Sequence, residues 1–154
     1  MRVALLATLA LLVLAGPAHA DPSVERRLTE RGLKFEKDED GDYRVVYDYE
    51  KEGRTQLVII GGSTESVRGF AIREVYAPAG RVGEDPIDGA RALKLLADSH
   101  ENKLGSWELS GKTLVYMIKL PDDASAAQLE AAIDIAATVA DDMEIELSGK
   151  KDAY

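Results

Sequence analysis

Cysteine is absent from this chain of 154 residues. That gap removes disulfides, thiol nucleophiles, zinc–thiolate sites and the lipid-modified cysteine of a lipoprotein. Histidine is nearly as scarce, with only His19 and His100. Cations are outnumbered, 19 Lys and Arg against 28 Asp and Glu, and they form no cluster. Binding to nucleic acid or to anionic membrane surfaces needs such a cluster, so neither is expected. Long apolar runs are missing as well. The longest, Val3 to Ala15, is 13 residues with Thr8 inside it, short of the roughly 20 that cross a bilayer.

What is present begins with that run. Met1-Arg2 precedes it, Gly16-Pro17 breaks it, and Ala18-His19-Ala20 is a small-x-small cleavage site. This is the layout of a secretory signal peptide. The expectation is an exported chain, periplasmic or secreted, cut after Ala20 and without stable membrane insertion afterwards. Removing residues 1–20 leaves 134 residues and takes Arg2 with it, so 18 basic and 28 acidic groups remain, a net charge of −10. That length suits one domain, read here as 21–148, with a polar tail at 149–154.

Asp21-Pro22 opens a first helix, Asp as N-cap and Pro at N1, with Val24 and Leu28 on one face and Gly32 as its stop. Leu33–Lys37 reads as a short strand. Tyr43–Tyr49 alternates, placing Tyr43, Val45, Tyr47 and Tyr49 on one face. Gln56–Ile60 is apolar on both faces, as in an interior strand covered on each side. Phe70–Ala77 follows, with Phe70, Ile72 and Tyr76 on one face, and then a loop over 79–84. Asp85-Pro86 repeats the helix-start signature, and Gly89, Leu93, Leu96 and His100 share the apolar face of that helix. Ser106–Leu109 and Thr113–Leu120 form a hairpin. Ser125 and Gln128 make a capping box for a last helix striped by Leu129, Ile133, Ala136, Val139, Ala140, Met143 and Leu147. The expected fold is α+β: an antiparallel sheet of about five to six strands packed with helices, in the order α-β-β-β-β-α-β-β-α.

Three stretches carry a family resemblance. They are the acidic turn Asp38-Glu39-Asp40-Gly41-Asp42-Tyr43, the segment Leu95-Leu96 … Asn102-Lys103-Leu104-Gly105-Ser106-Trp107, and the hairpin strand Leu114 to Pro121 with the long helix after it. In these the chain resembles the YbjN-like family, whose fold is similar to that of the type III secretion chaperones. The resemblance spans roughly residues 24–147. It implies an interaction or chaperone-like role without known enzymatic activity. One departure is visible: where the family commonly has a second Asn on helix two, this chain reads Asp98-Ser99-His100.

No pattern here supports catalysis, so no enzyme, cofactor or metal is expected. His100 has no nucleophile elbow around Ser63 or Ser99. Gly61-Gly62-Ser63-Thr64 lacks the Lys-Ser/Thr pair of a phosphate loop. Residues 36–42 place acids as a calcium loop would, but position 12 is Tyr47 rather than a bidentate Glu. The expected function is a non-enzymatic protein-binding or chaperone-like module, with Tyr43, Tyr47, Tyr49, Trp107 and Tyr116 as candidate contact residues. The tyrosine stripe reads first as core or a helix-covered face, with a binding surface as the alternative. Val115 and Met117, on the reverse face of their strand, call for a second cover, either a helix or another copy of the chain. A homodimer, and a small-ligand or calcium-binding domain using 36–42, are the alternatives carried forward.

Overall fold

The computed structural model describes residues 21–49, 53–148 and 154. The expected leader at 1–20, part of the turn after Tyr49 and nearly all of the polar tail lie outside the described residues. Helix α1 (Pro22–Glu30) is followed by strands β1 (Glu36–Lys37), β2 (Tyr43–Tyr49), β3 (Arg54–Ile60), β4 (Glu65–Val67) and β5 (Phe70–Arg81). Helix α2 (Gly89–Glu101), the hairpin β6 (Ser106–Ser110) and β7 (Thr113–Pro121), and helix α3 (Ala126–Ser148) complete the order. The strands form one antiparallel sheet, β1-β2-β3-β5-β7-β6, with β4 paired on β5. The α+β class and the element order are as expected, with seven strands rather than five or six.

Helices α1 and α3 lie on one face of the sheet, and α2 lies along its β6 edge. α3 packs over β5, flanked by β7 and β3, with α1 against it and α2 against β6. Its alanines allow close approach: Ala132, Ala136, Ala137 and Ala140 are fully buried beneath it. Gly80 serves the same end, since a Cβ there would fall 2.7 Å from Leu147 Cδ1. The predicted capping box of α3 forms, with Ser125 N donating to Gln128 Oε1 at 2.8 Å and Gln128 N to Ser125 Oγ at 3.2 Å. Facing the helices, Tyr43, Val45, Val58, Ile60, Val75, Ala77, Tyr116 and Ile118 make the core.

Several expectations give way. β3 alternates buried and half-buried residues, so it is helix-covered on one side only. Phe70, Ile72 and Tyr76 do share one face, as expected, and it is the one away from the helices, because Arg73, Val75 and Ala77 take the inner positions. β5 runs on to Arg81 through an irregularity at Pro78–Gly80, where a loop was expected, because β7 is long enough to pair with it to Thr113. α2 starts at Gly89 rather than Pro86. Asp88 caps it by accepting from Arg91 N, while Asp85 is spent accepting from Arg81 N.

β4 was missed altogether. It turns back into β5 through Arg68 and Gly69, with φ of 48° and 91°. Two consecutive positive φ values mark a type I′ hairpin, which favours Asn-Gly. Arg68 is exposed and, among the described non-glycine residues, alone at positive φ. Arg68→Asn should therefore stabilise the fold by about 0.5 kcal/mol. A higher urea midpoint at unchanged slope checks this.

Candidate functional site

β6 is a sheet edge, and α2 seals it. Ser99 Oγ accepts from Trp107 N at 2.9 Å and donates to Leu95 O at 2.8 Å. An edge strand with open N–H groups invites further pairing, and a helix laid along it prevents that. The neighbouring Asp98 Oδ2 accepts from the indole Nε1 of Trp107 at 2.7 Å. Asn102 Nδ2 bonds the same carboxylate at 3.2 Å. Asp98-Ser99 is thus the latch that holds α2 to Trp107. Beneath the indole, Tyr116 meets it edge-on at 5.1 Å, and the Tyr116 hydroxyl donates to Leu104 O at 2.7 Å.

Between α2 and α3 lies a cleft of about 400 Å³. Its apolar lining is Trp107, Leu95, Val139 and Met143. Its polar lining comprises Arg91, Lys94 and Asn102 with Asp98, Asp142 and Glu146. Arg91 is paired with Glu146 across the two helices. Asp98 is engaged by the indole, and Asp142 and Lys94 stand exposed at the rim. The volume falls in the range of small-ligand and side-chain pockets.

The five residues singled out from the sequence do not form one surface. Tyr43 and Tyr116 are core side chains, 1% and 0% exposed, which corrects their assignment as contact residues. Alternation alone cannot tell which face of a strand meets the helices. Tyr47 and Tyr49 are half-buried at the outer end of the same stripe. The Tyr47 hydroxyl donates to Asp134 on α3, and burial followed by that carboxylate pushes its pKa well up. Trp107 is 7% exposed and lines the cleft. The cleft's other walls were missed as a site. Val139 and Met143 belong to the apolar stripe of α3, and nothing in the local sequence announces that α2 stands beside it.

The remaining candidates are placed plainly. His100 is exposed, as are Leu93 and Leu96, 69% and 64%. The apolar face assigned to α2 therefore points outward, because Leu95, Ser99 and Asp98 are the side chains that meet β6 and Trp107. Ser99 is committed to its latch. Two carboxylates of the acidic turn are spent on backbone: Asp38 Oδ1 accepts from Asp40 N and Asp42 N at 3.1 and 2.9 Å, and Asp42 Oδ1 from Gly62 N at 2.8 Å. Among the described residues no group of three or more acids or histidines is placed to hold a metal. None of the described helices is long and apolar enough to cross a membrane. No protein-family model matches the chain, and a search of curated proteins finds no significant relative.

Ser99→Ala leaves the edge N–H of Trp107 without its acceptor. The expected cost is about 1–2 kcal/mol, the penalty of an unmet buried donor. Because Trp107 is the sole tryptophan, its emission should shift to the red as the latch loosens. Unchanged stability and emission would contradict the latch.

Proposed function

We propose that this is an exported, non-enzymatic binding protein whose α2–α3 cleft takes an apolar side chain from a basic segment of another polypeptide. The observation that carries the reading is the cleft's construction, an indole floor fixed in place by Asp98 and Tyr116 beneath a charged rim. A pre-positioned aromatic surface is what binding hot spots are made of. The occupant follows from charge. The chain is acidic overall, and the cleft is lined by three carboxylates, Asp98, Asp142 and Glu146, against the two cations Arg91 and Lys94, so a segment bearing Lys or Arg beside its apolar anchor fits better than an acidic one. The chaperone-like role implied by the YbjN-like resemblance points the same way. The leader at 1–20 supports the extracytoplasmic setting.

Against catalysis stands the placement of the polar groups. Ser99 and Asp98 are engaged in structural bonds, and His100 faces outward. Against the calcium alternative stands the internal use of Asp38 and Asp42.

Trp107 makes the test direct. Titration of the mature protein with a short peptide of Leu flanked by Lys should change its emission saturably. The same peptide with Glu in place of Lys should bind at least tenfold more weakly. Asp142→Lys should weaken the Lys peptide several-fold while leaving the melting temperature unchanged, and the affinity should fall with added salt. Equal response to both peptides, or none at millimolar concentration, would sink the reading.

A further inference from the structure

Asp21, the residue that cleavage after Ala20 would make the N-terminus, is held by all of its polar groups. Its backbone N donates to Gly62 O at 2.8 Å, and its carbonyl accepts from the Tyr43 hydroxyl and from Val24 N, both at 3.1 Å. Its carboxylate accepts from Ser23 N, Ser23 Oγ and Arg73 Nη2 at 2.8, 2.6 and 2.7 Å. The seat for its nitrogen is rigid. Asp42 holds Gly62 N at 2.8 Å. Gly62 itself packs so closely on the acidic turn that a Cβ there would lie 1.9 Å from Gly41 O. Two independent readings therefore meet on one atom: the cleavage motif marks the Ala20–Asp21 bond, and the fold fixes the nitrogen of that bond.

We propose that the α-amino group released at Asp21 is a structural ligand of this domain, with the Gly62 carbonyl as its seat, so that processing completes the fold. The proposal rests on the export reading. Hydrolysis adds one water across the Ala20–Asp21 bond. Ala20 leaves with a carboxylate, and the Asp21 nitrogen becomes an ammonium with three N–H donors in place of one. A charged donor makes the stronger hydrogen bond to the same carbonyl. The charged groups gathered at this corner are the Asp21 carboxylate, Asp122 after β7, Asp42 ahead of β2 and Glu25 on α1, with Arg73 of β5 and Arg27 of α1 opposing them. Both guanidiniums are already paired with Asp122, and Arg73 also with Asp21.

The test compares two forms of the whole mature chain, residues 21–154, one with a free Asp21 amine and one N-acetylated. The acetyl carbonyl stands in for that of Ala20 and keeps the single N–H of the uncut chain. At pH 6 the free amine form should melt about 3–5 °C higher. The gap should close above about pH 9, where an ordinary α-amine is neutral. Equal melting temperatures, or a more stable acetylated form, would overturn the proposal. N-terminal sequencing of the protein recovered outside the cytoplasm separates this from the export reading. An Asp21 terminus with no melting gap rejects the amine seat alone. Any other terminus rejects the proposal and the expected cleavage together.

Discussion

The guanidinium of Arg73 is the constraint on which this end of the structure depends. It is 1% exposed, yet it reaches three chain segments at once. It bonds Asp21 at the cap of α1 and Asp122 at the exit of β7, and donates to the Gly61 carbonyl at the exit of β3. Arg27 doubles the connection, donating to the Asp122 and Ala124 carbonyls at 3.0 and 2.9 Å. A buried ion pair of this kind is weak support for net stability, because desolvation offsets much of its attraction. Its force is in specificity. A buried charge tolerates few arrangements, so the three segments must converge in one way. Arg54 repeats the device under α3, bonding Asp141 and Glu144 at 2.8 and 2.9 Å. One rivet fixes the start of the domain and the other fixes α3 to β3.

With α3 held over the sheet, the rest of the site follows. α3 presents Val139 and Met143 along one side, and α2 stands off from it because its anchors, Ser99 and Asp98, reach for the edge strand instead. The cleft is the space left between a helix that covers the sheet face and a helix that covers its edge. Trp107 belongs to both tasks. Its backbone is sealed by α2, and its ring floors the cleft.

The fold was largely legible because its signals are local. The alternation of β2, the caps at Asp21 and Ser125 and the stripe of α3 each state an element and a facing. What was hidden depended on distant partners. β4 exists because β5 is there to pair with it. The extension of β5 depends on the length of β7. The face of α2 inverted because two polar residues, Asp98 and Ser99, decided its seating against Leu93 and Leu96. Hydrophobic periodicity gives no weight to a hydroxyl that satisfies an edge N–H. The candidate site was legible only at Trp107. The tyrosines sharing its assignment were core, and the helix walls around it emerge only from tertiary packing.

Arg73 organises one corner of the domain, while the Trp107 cleft is held independently by the Asp98-Ser99 latch. Hydrogen exchange, read by mass spectrometry on Arg73→Met beside the unaltered mature chain, tests both halves together. The account predicts lost protection in α1, in residues 60–64 and in residues 121–124, with β6 and α2 unchanged. Protection lost evenly across the sheet, or first at Trp107, would contradict it.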